Sequence, residues 1–567
     1  MLRRTLLAAL AAFSLAACAS APSAEHYDVI IANGAVYDGS GAAPVRSDVA
    51  IRGDRIAAIG DLSGARASQR IDARGMAVAP GFINMLSWAT ESLIEDGLSQ
   101  SDIRQGVTLE VMGEGWSMGP INEAMRAEMI RQQSYIRFDP AWTTLGEYLD
   151  HLVERGISTN VASYVGATTI RIHEIGEADR PPTPAELARM QELVRQAMRE
   201  GALGVGSSLI YAPAFYAETD ELIALVAAAH EFGGGYISHI RSEGDRYLEA
   251  LDELIAIARA TGARAQVYHL KPAGETNWDL SEAGLARLEA ARAEGLDITA
   301  DVYTYVAGAT GLDAAMPPWV QEGGHDAWVA RLRDPEIRAR VLREMRAPAV
   351  GWESLYQLTR GPEDVILIGF RNPELRGYTG KTLAEVAAER GASPEDTIID
   401  LVIADNSRVD TAYVLMSEDN LERNLRWPHT MLGSDAPSLA PEGAFLQFNP
   451  HPRAYGTFAR FLGRYVRERQ LMPLEEAIRR LTTLPAQAIA VRERGALQVG
   501  YFADVVVFDA AAITDHADFA RPHAYSTGVR EVFVNGVQVL RNGEHTGAKP
   551  GRVVRGPGWT GARASGR

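Results

Sequence analysis

The sequence predicts an α/β fold: a TIM-type (β/α)8 barrel carrying a small composite β-sandwich made from both ends of the chain. Apolar β-branched runs alternate with amphipathic helical stretches through the middle of the chain, the signature of βα units around a parallel sheet buried on both faces. There are eight such runs, and the Gly-rich phosphate turn of an open doubly wound sheet is missing, so a closed barrel fits better. Both chain ends share a texture of short strands and tight turns, which suggests one β domain that the chain leaves and re-enters.

The elements follow in order. Arg3 and Arg4, an apolar stretch from Leu6 to Leu15 and then small residues have the layout of a secretory signal rather than a membrane span. Leu15-Ala16-Ala17-Cys18 resembles a bacterial lipobox, so residues 1–18 are expected to be a lipoprotein signal and 19–26 a tether. On this reading the protein is exported to the periplasmic face of a bacterial membrane and touches it only through a lipidated Cys18. Cys18 is the sole cysteine, which leaves no internal disulfide and no thiolate for metal or nucleophilic work.

Residues 27–80 and 497–557 are assigned to the composite β-sandwich, and 81–496 to the barrel. The predicted barrel strands are Val78 to Leu86, Val107 to Gly113, Val161 to Gly166, Ala202 to Ser207, Gly235 to His239, Ala265 to His269, Ile298 to Tyr303 and Thr430 to Ser434. Thr183, Pro184 and Glu186 mark the start of a helix that runs to about Gly201: a cap, a proline at the first position and a capping box. The stretch from about 306 to 428 is too long for a plain loop and is read as a helical insertion over the barrel mouth.

With 56 Lys plus Arg against 73 Asp plus Glu, the net charge is −17, and no basic cluster is present to track a phosphate backbone; nucleic acid is excluded as a partner. The hydrophobic content of 46% over 567 residues supplies a full-sized core without any later apolar run long enough to span a bilayer.

In such a barrel the chemistry sits where strands end, so polar residues closing apolar strands are the first candidates. The fifth strand ends Ser238-His239, the sixth Tyr268-His269 and the eighth Gly433-Ser434-Asp435. Two imidazoles and a carboxylate converging on one mouth make a zinc-like donor set.

Several blocks then carry a resemblance: Ala79-Pro80-Gly81-Phe82-Ile83, Gly106-Val107-Thr108, Leu209-Ile210-Tyr211, Ser238-His239-Ile240-Arg241-Ser242-Glu243-Gly244-Asp245, His269-Leu270-Lys271-Pro272-Ala273-Gly274, Gly433-Ser434-Asp435 and His451-Pro452-Arg453-Ala454-Tyr455-Gly456-Thr457-Phe458. From Tyr27 to Pro557 the chain resembles the D-aminoacylase (N-acyl-D-amino-acid deacylase) branch of the amidohydrolase superfamily. It departs from that pattern twice. Where the family has an Asp and a His-x-His pair on the first strand, this chain reads Asn84-Met85-Leu86-Ser87-Trp88. Where the family has a metal-binding thiolate after the second strand, this chain reads Gly113-Glu114-Gly115-Trp116.

Leucine and tryptophan offer no lone pair to a cation, so the resemblance implies one divalent metal rather than two, most simply Zn2+, on Glu114, His239 and His269 with a position left for water. Asp435 is the implied general base, and Arg453 the implied clamp on a substrate carboxylate, a task suited to a planar guanidinium. Lys271 and Tyr211 are implied to grip substrate, with a further hydroxyl from Tyr303 or Tyr305. These tyrosines are equally compatible with packing. A carboxylated Lys271 bridging two metals is not expected. Trp88 and Trp116 are expected near the mouth, filling space that the missing ligands vacate.

The implied function is hydrolysis of the amide bond of N-acyl-D-amino acids or D-residue-containing peptides, the partner being a small substrate with a free carboxylate. Two alternatives stay open from sequence: a peptidase or cyclic-amide hydrolase acting on L-configured material, and a non-catalytic barrel that binds ligand without turnover.

Overall fold

A computed structural model describes residues 26–561; the signal segment, Cys18 and the tether up to residue 25 lie outside the described residues. Among these residues no helix is long and apolar enough to cross a membrane.

The eight barrel strands are Phe82–Asn84, Val107–Met112, Asn160–Ser163 continued by Val165–Gly166, Gly204–Ser208, Gly235–His239, Ala265–Val267, Ile298–Val302 and Thr430–Leu432. Each pairs in parallel with its neighbours in chain order. Closure comes from the first and last strands: Met85 N donates to Leu432 O at 3.1 Å, and a parallel bridge joins Ser87 to Ala436. Asn84 pins this seam from inside, its amide donating to Ser434 Oγ at 2.8 Å while its carbonyl oxygen accepts from Ser434 N at 2.8 Å. Both groups are buried, so their polar atoms have to find partners within the protein.

The outer helices have the starts their sequences encode. In Pro184–Arg199, Thr183 and Glu186 form a reciprocal capping box with proline in the first turn. Met190, Val194, Ala197 and Met198 give this helix its buried stripe.

Both chain ends enter one nine-stranded sheet. Val505–Phe508 lies antiparallel beside Ala77–Pro80, so the last strand before the barrel is the neighbour of the first strand after it. Along His26–Val36, Ile30 and Ala32 join one apolar cluster and Val29 and Ile31 another, the period-two alternation of a sheet with core on both faces.

The insertion departs from the helical expectation. Ala307–Gly311, Val365–Gly369 and Asp410–Val414 form a three-stranded antiparallel sheet, with Asp410–Val414 in the centre. Helices such as Pro335–Arg346 and Pro394–Asp405 share its core of Leu312, Val341, Phe370, Ile398 and Val402. Ala307–Gly311 holds no apolar β-branched residue, and its partner strand lies about a hundred residues on, so local pattern could not reveal the pairing. The segment nearest the eighth strand, Glu418–Arg426, packs on the barrel itself, against the seventh and eighth strands.

Candidate metal centre

Glu114, His239 and His269 meet at the rim where the second, fifth and sixth strands end. Glu114 Oε1 lies 3.1 Å from His239 Nδ1 and 3.1 Å from His269 Nε2. All three side chains are buried, and their candidate donor atoms fall within 4.8 Å of one another. Two donors about 2.1 Å from a tetrahedral cation stand roughly 3.4 Å apart, so the spacing suits an ion. The donor set of two imidazoles and a carboxylate is a zinc set.

Local backbone geometry presents these side chains. Gly113 turns the chain at φ 105°, where an added Cβ would sit 2.3 Å from the carbonyl oxygen of Tyr164; only glycine fits, and Glu114 is delivered next. His269 and Asp435 both have positive φ, 36° and 50°, a costly conformation of the kind that collects at functional sites. Asp301 holds the first of these by accepting a hydrogen bond from His269 N at 2.9 Å. Because the sixth strand ends at Val267, Lys271 does not share a strand face with His269, as a continuing strand would require. Instead its Nζ folds back to 2.9 Å from His269 Nδ1 and 2.6 Å from Glu243 Oε1.

Glu243 is the residue that sequence reasoning passed over. Its Oε1 lies 2.9 Å from His269 Nδ1, so it orients that ring and leaves Nε2 facing Glu114. The signal was available: a carboxylate four residues after His239, inside a block already singled out. Burial opposes its ionisation, but the Lys271 ammonium and the two imidazoles hold the Glu243 carboxyl well below the usual range. Burial likewise works against Glu114, and the bonds from His239 and His269 bring its carboxyl down to about 2.

The first-strand departure has a structural counterpart. Trp88 Nε1 donates to Glu114 Oε2 at 2.9 Å and to Asp435 Oδ1 at 3.2 Å, so an indole N–H links the two carboxylates. Leu86 is fully buried. Asp435 also meets Arg453, with Oδ2 2.7 Å from Nη1. Burial raises the Asp435 carboxyl above its ordinary value, while the Arg453 guanidinium pulls it down.

Arg453 is buried, and its Nε and Nη1 make no well-directed hydrogen bond. Its guanidinium lies over the ring of Tyr303, 4.6 Å from the centroid. The Tyr303 hydroxyl donates to Met416 Sδ at 3.5 Å, so its ring rather than its oxygen faces Arg453. Tyr305 turns away to Asp515 Oδ2 at 3.1 Å. Tyr211 stacks edge-on to His239 at 5.4 Å between ring centres, and the Arg408 guanidinium lies over the Tyr211 ring at 5.1 Å from its centroid. Arg408, another residue the sequence did not single out, is fixed by Asp313 Oδ1 at 2.9 Å.

A closed parallel barrel with buried metal-type donors, a carboxylate and a guanidinium at one rim is the architecture of a metal-dependent hydrolase. The family model described as the amidohydrolase family matches residues 69–540. The chain belongs to this family. It is 34% identical over 539 residues to a D-aminoacylase of Alcaligenes xylosoxydans xylosoxydans, covering 94% of this chain and 99% of the relative. A D-aminoacylase structure described by one-metal activation and second-metal attenuation of a binuclear centre superposes with a TM-score of 0.78 at 33% identity, over 93% of this chain and all of the other. An N-acyl-D-glutamate deacylase of Bordetella bronchiseptica, complexed with zinc and a phosphonate mimic of the tetrahedral intermediate, gives 0.76 at 32% identity, over 94% and 100%.

Proposed function

We propose that the chain hydrolyses the amide bond of N-acyl-D-amino acids or D-residue-containing peptides, with one divalent cation, preferably zinc, on Glu114, His239 and His269. The observation that carries this reading is the convergence of two buried imidazoles, His239 and His269, on Glu114 Oε1, with Asp435 and Arg453 at the same rim. The names of the similar proteins support the substrate class. Trp88 supports a single ion, because its N–H occupies the space between Glu114 and Asp435.

Bound zinc supplies a Lewis acid for the amide carbonyl and makes water a better nucleophile near neutral pH. Asp435 takes the proton of the attacking water and hands it to the departing amide nitrogen. Arg453 holds the substrate carboxylate in a guanidinium fork; its Nε has no hydrogen-bond partner in the free protein and its Nη1 meets Asp435. A carboxylate arriving there competes with Asp435 for the guanidinium and frees Asp435 to act as base. Glu243 keeps the His269 tautomer fixed throughout, and Lys271 balances its charge.

Paired D- and L-configured N-acyl amino acids test the activity. D-selective release of amino acid, abolished in Asp435→Asn while ligand binding persists, is the expected result; turnover of L-substrates alone would overturn the substrate assignment. Export with lipidation of Cys18 is part of the proposal, and the mass of the mature N-terminus checks it.

A further inference from the structure

The barrel mouth opens into a cavity of about 1000 Å³ that holds the metal donors, Asp435 and Arg453 and continues along the loop after the second strand. That loop carries Trp116 and Met118 away from Glu114 toward the helix Glu123–Gln132. The helix buries none of its residues. Its Met125 and Met129, four positions apart and so on one face, are partly buried against the barrel's core and line the cavity beside Glu128 and Gln132 of the same helix. Trp116, two residues from Glu114, is 41% exposed and lines the same space. Apolar side chains lining a cavity beside a polar reaction centre mark ligand-binding area.

We infer that this lobe is an acyl-chain subsite, which favours N-acyl groups with medium-length unbranched alkyl chains over N-acetyl. The inference rests on the deacylase reading, and the order of contacts gives the direction. Arg453 touches Asp435, Trp88 bridges Asp435 to Glu114, and Trp116 follows Glu114 along the chain. A carboxylate on Arg453 and an amide nitrogen beside Asp435 put the scissile carbonyl at the metal donors. The acyl chain leaves the carbonyl carbon on the side away from nitrogen, and so runs past Glu114 to Trp116, Met125 and Met129. Methionine is unbranched, polarisable and free about three torsions, which suits chains of varying length.

The test uses the zinc-loaded full chain and one D-amino acid bearing acetyl, butanoyl, hexanoyl or octanoyl groups. kcat/KM is expected to rise about fourfold per added methylene until the lobe is filled. Met125→Ser with Met129→Ser is expected to lower the octanoyl-to-acetyl ratio about tenfold. Titration calorimetry of the same series on the zinc-loaded Asp435→Asn chain reads the gradient as affinity, without turnover. A flat or falling series in both measurements overturns the subsite while leaving the deacylase reading intact. An affinity gradient without hydrolysis of any member by the unmutated chain overturns the deacylase reading and retains the subsite.

Discussion

Glu243→Gln keeps the shape of the side chain beside His269 and removes its charge. Glu243 Oε1 stands 2.9 Å from His269 Nδ1 and 2.6 Å from Lys271 Nζ, with all three side chains at most 7% exposed. Two consequences separate cleanly. Loss of the carboxylate behind a metal-binding imidazole lowers metal affinity about 10- to 100-fold, or roughly 1.4 to 2.7 kcal/mol. The metal-free chain is also left with a buried ammonium lacking its counter-charge, and breaking such a pair costs about 3–5 kcal/mol. Competition for zinc against a chromophoric chelator reads the first effect, and the urea midpoint of the metal-free protein reads the second. A folded Glu243→Gln protein with unchanged zinc affinity would refute the orienting role given to this residue.

Other perturbations have equally definite outcomes. Arg453→Lys replaces a forked donor by a point charge and is expected to lower kcat/KM about 10- to 100-fold, chiefly through KM; an unmoved KM in steady-state kinetics contradicts the clamp. Glu91 has its carboxyl raised from 4.5 to about 7 by burial and then by Asp410. The folded state therefore binds this proton more tightly than the unfolded chain, so its stabilisation is full below about 4.5 and fades as pH climbs to about 7. Glu91→Gln should flatten the fall in urea midpoint across that window, and an identical pH slope in the variant counts against it. Leu86→His combined with Trp88→His removes the bridging indole and adds two imidazoles just beyond the first barrel strand. Zinc per chain measured by mass spectrometry is then expected to double, and no increase would argue against Trp88 as the bar to a second ion.

The barrel was legible because strand ends are local features: Ser238-His239 and Tyr268-His269 close apolar runs, and parallel pairing brings such ends to one rim. Glu114 was legible only through the resemblance, as the carboxylate standing where the family has a metal-binding thiolate. The contacts that organise the rim were not, because they depend on backbone departures that no periodicity encodes. His269 leaves the strand at positive φ, and Lys271 folds back onto Glu243 at the mouth instead of continuing a strand beside its neighbour. Trp88 reads as filler in sequence, and only the distances to Glu114 and Asp435 show its N–H at work. The sheet in the insertion was hidden for a related reason, since Val365–Gly369 is an apolar run that a buried helix shares and its partner Asp410–Val414 is remote in sequence.

Crystallographic anomalous scattering at the zinc edge, on full-length protein grown with stoichiometric zinc, measures the main proposal directly. A single peak bonded to Glu114, His239 and His269, lost in Glu114→Ala, is the predicted result. No peak at that rim, or one that persists without Glu114, would contradict it.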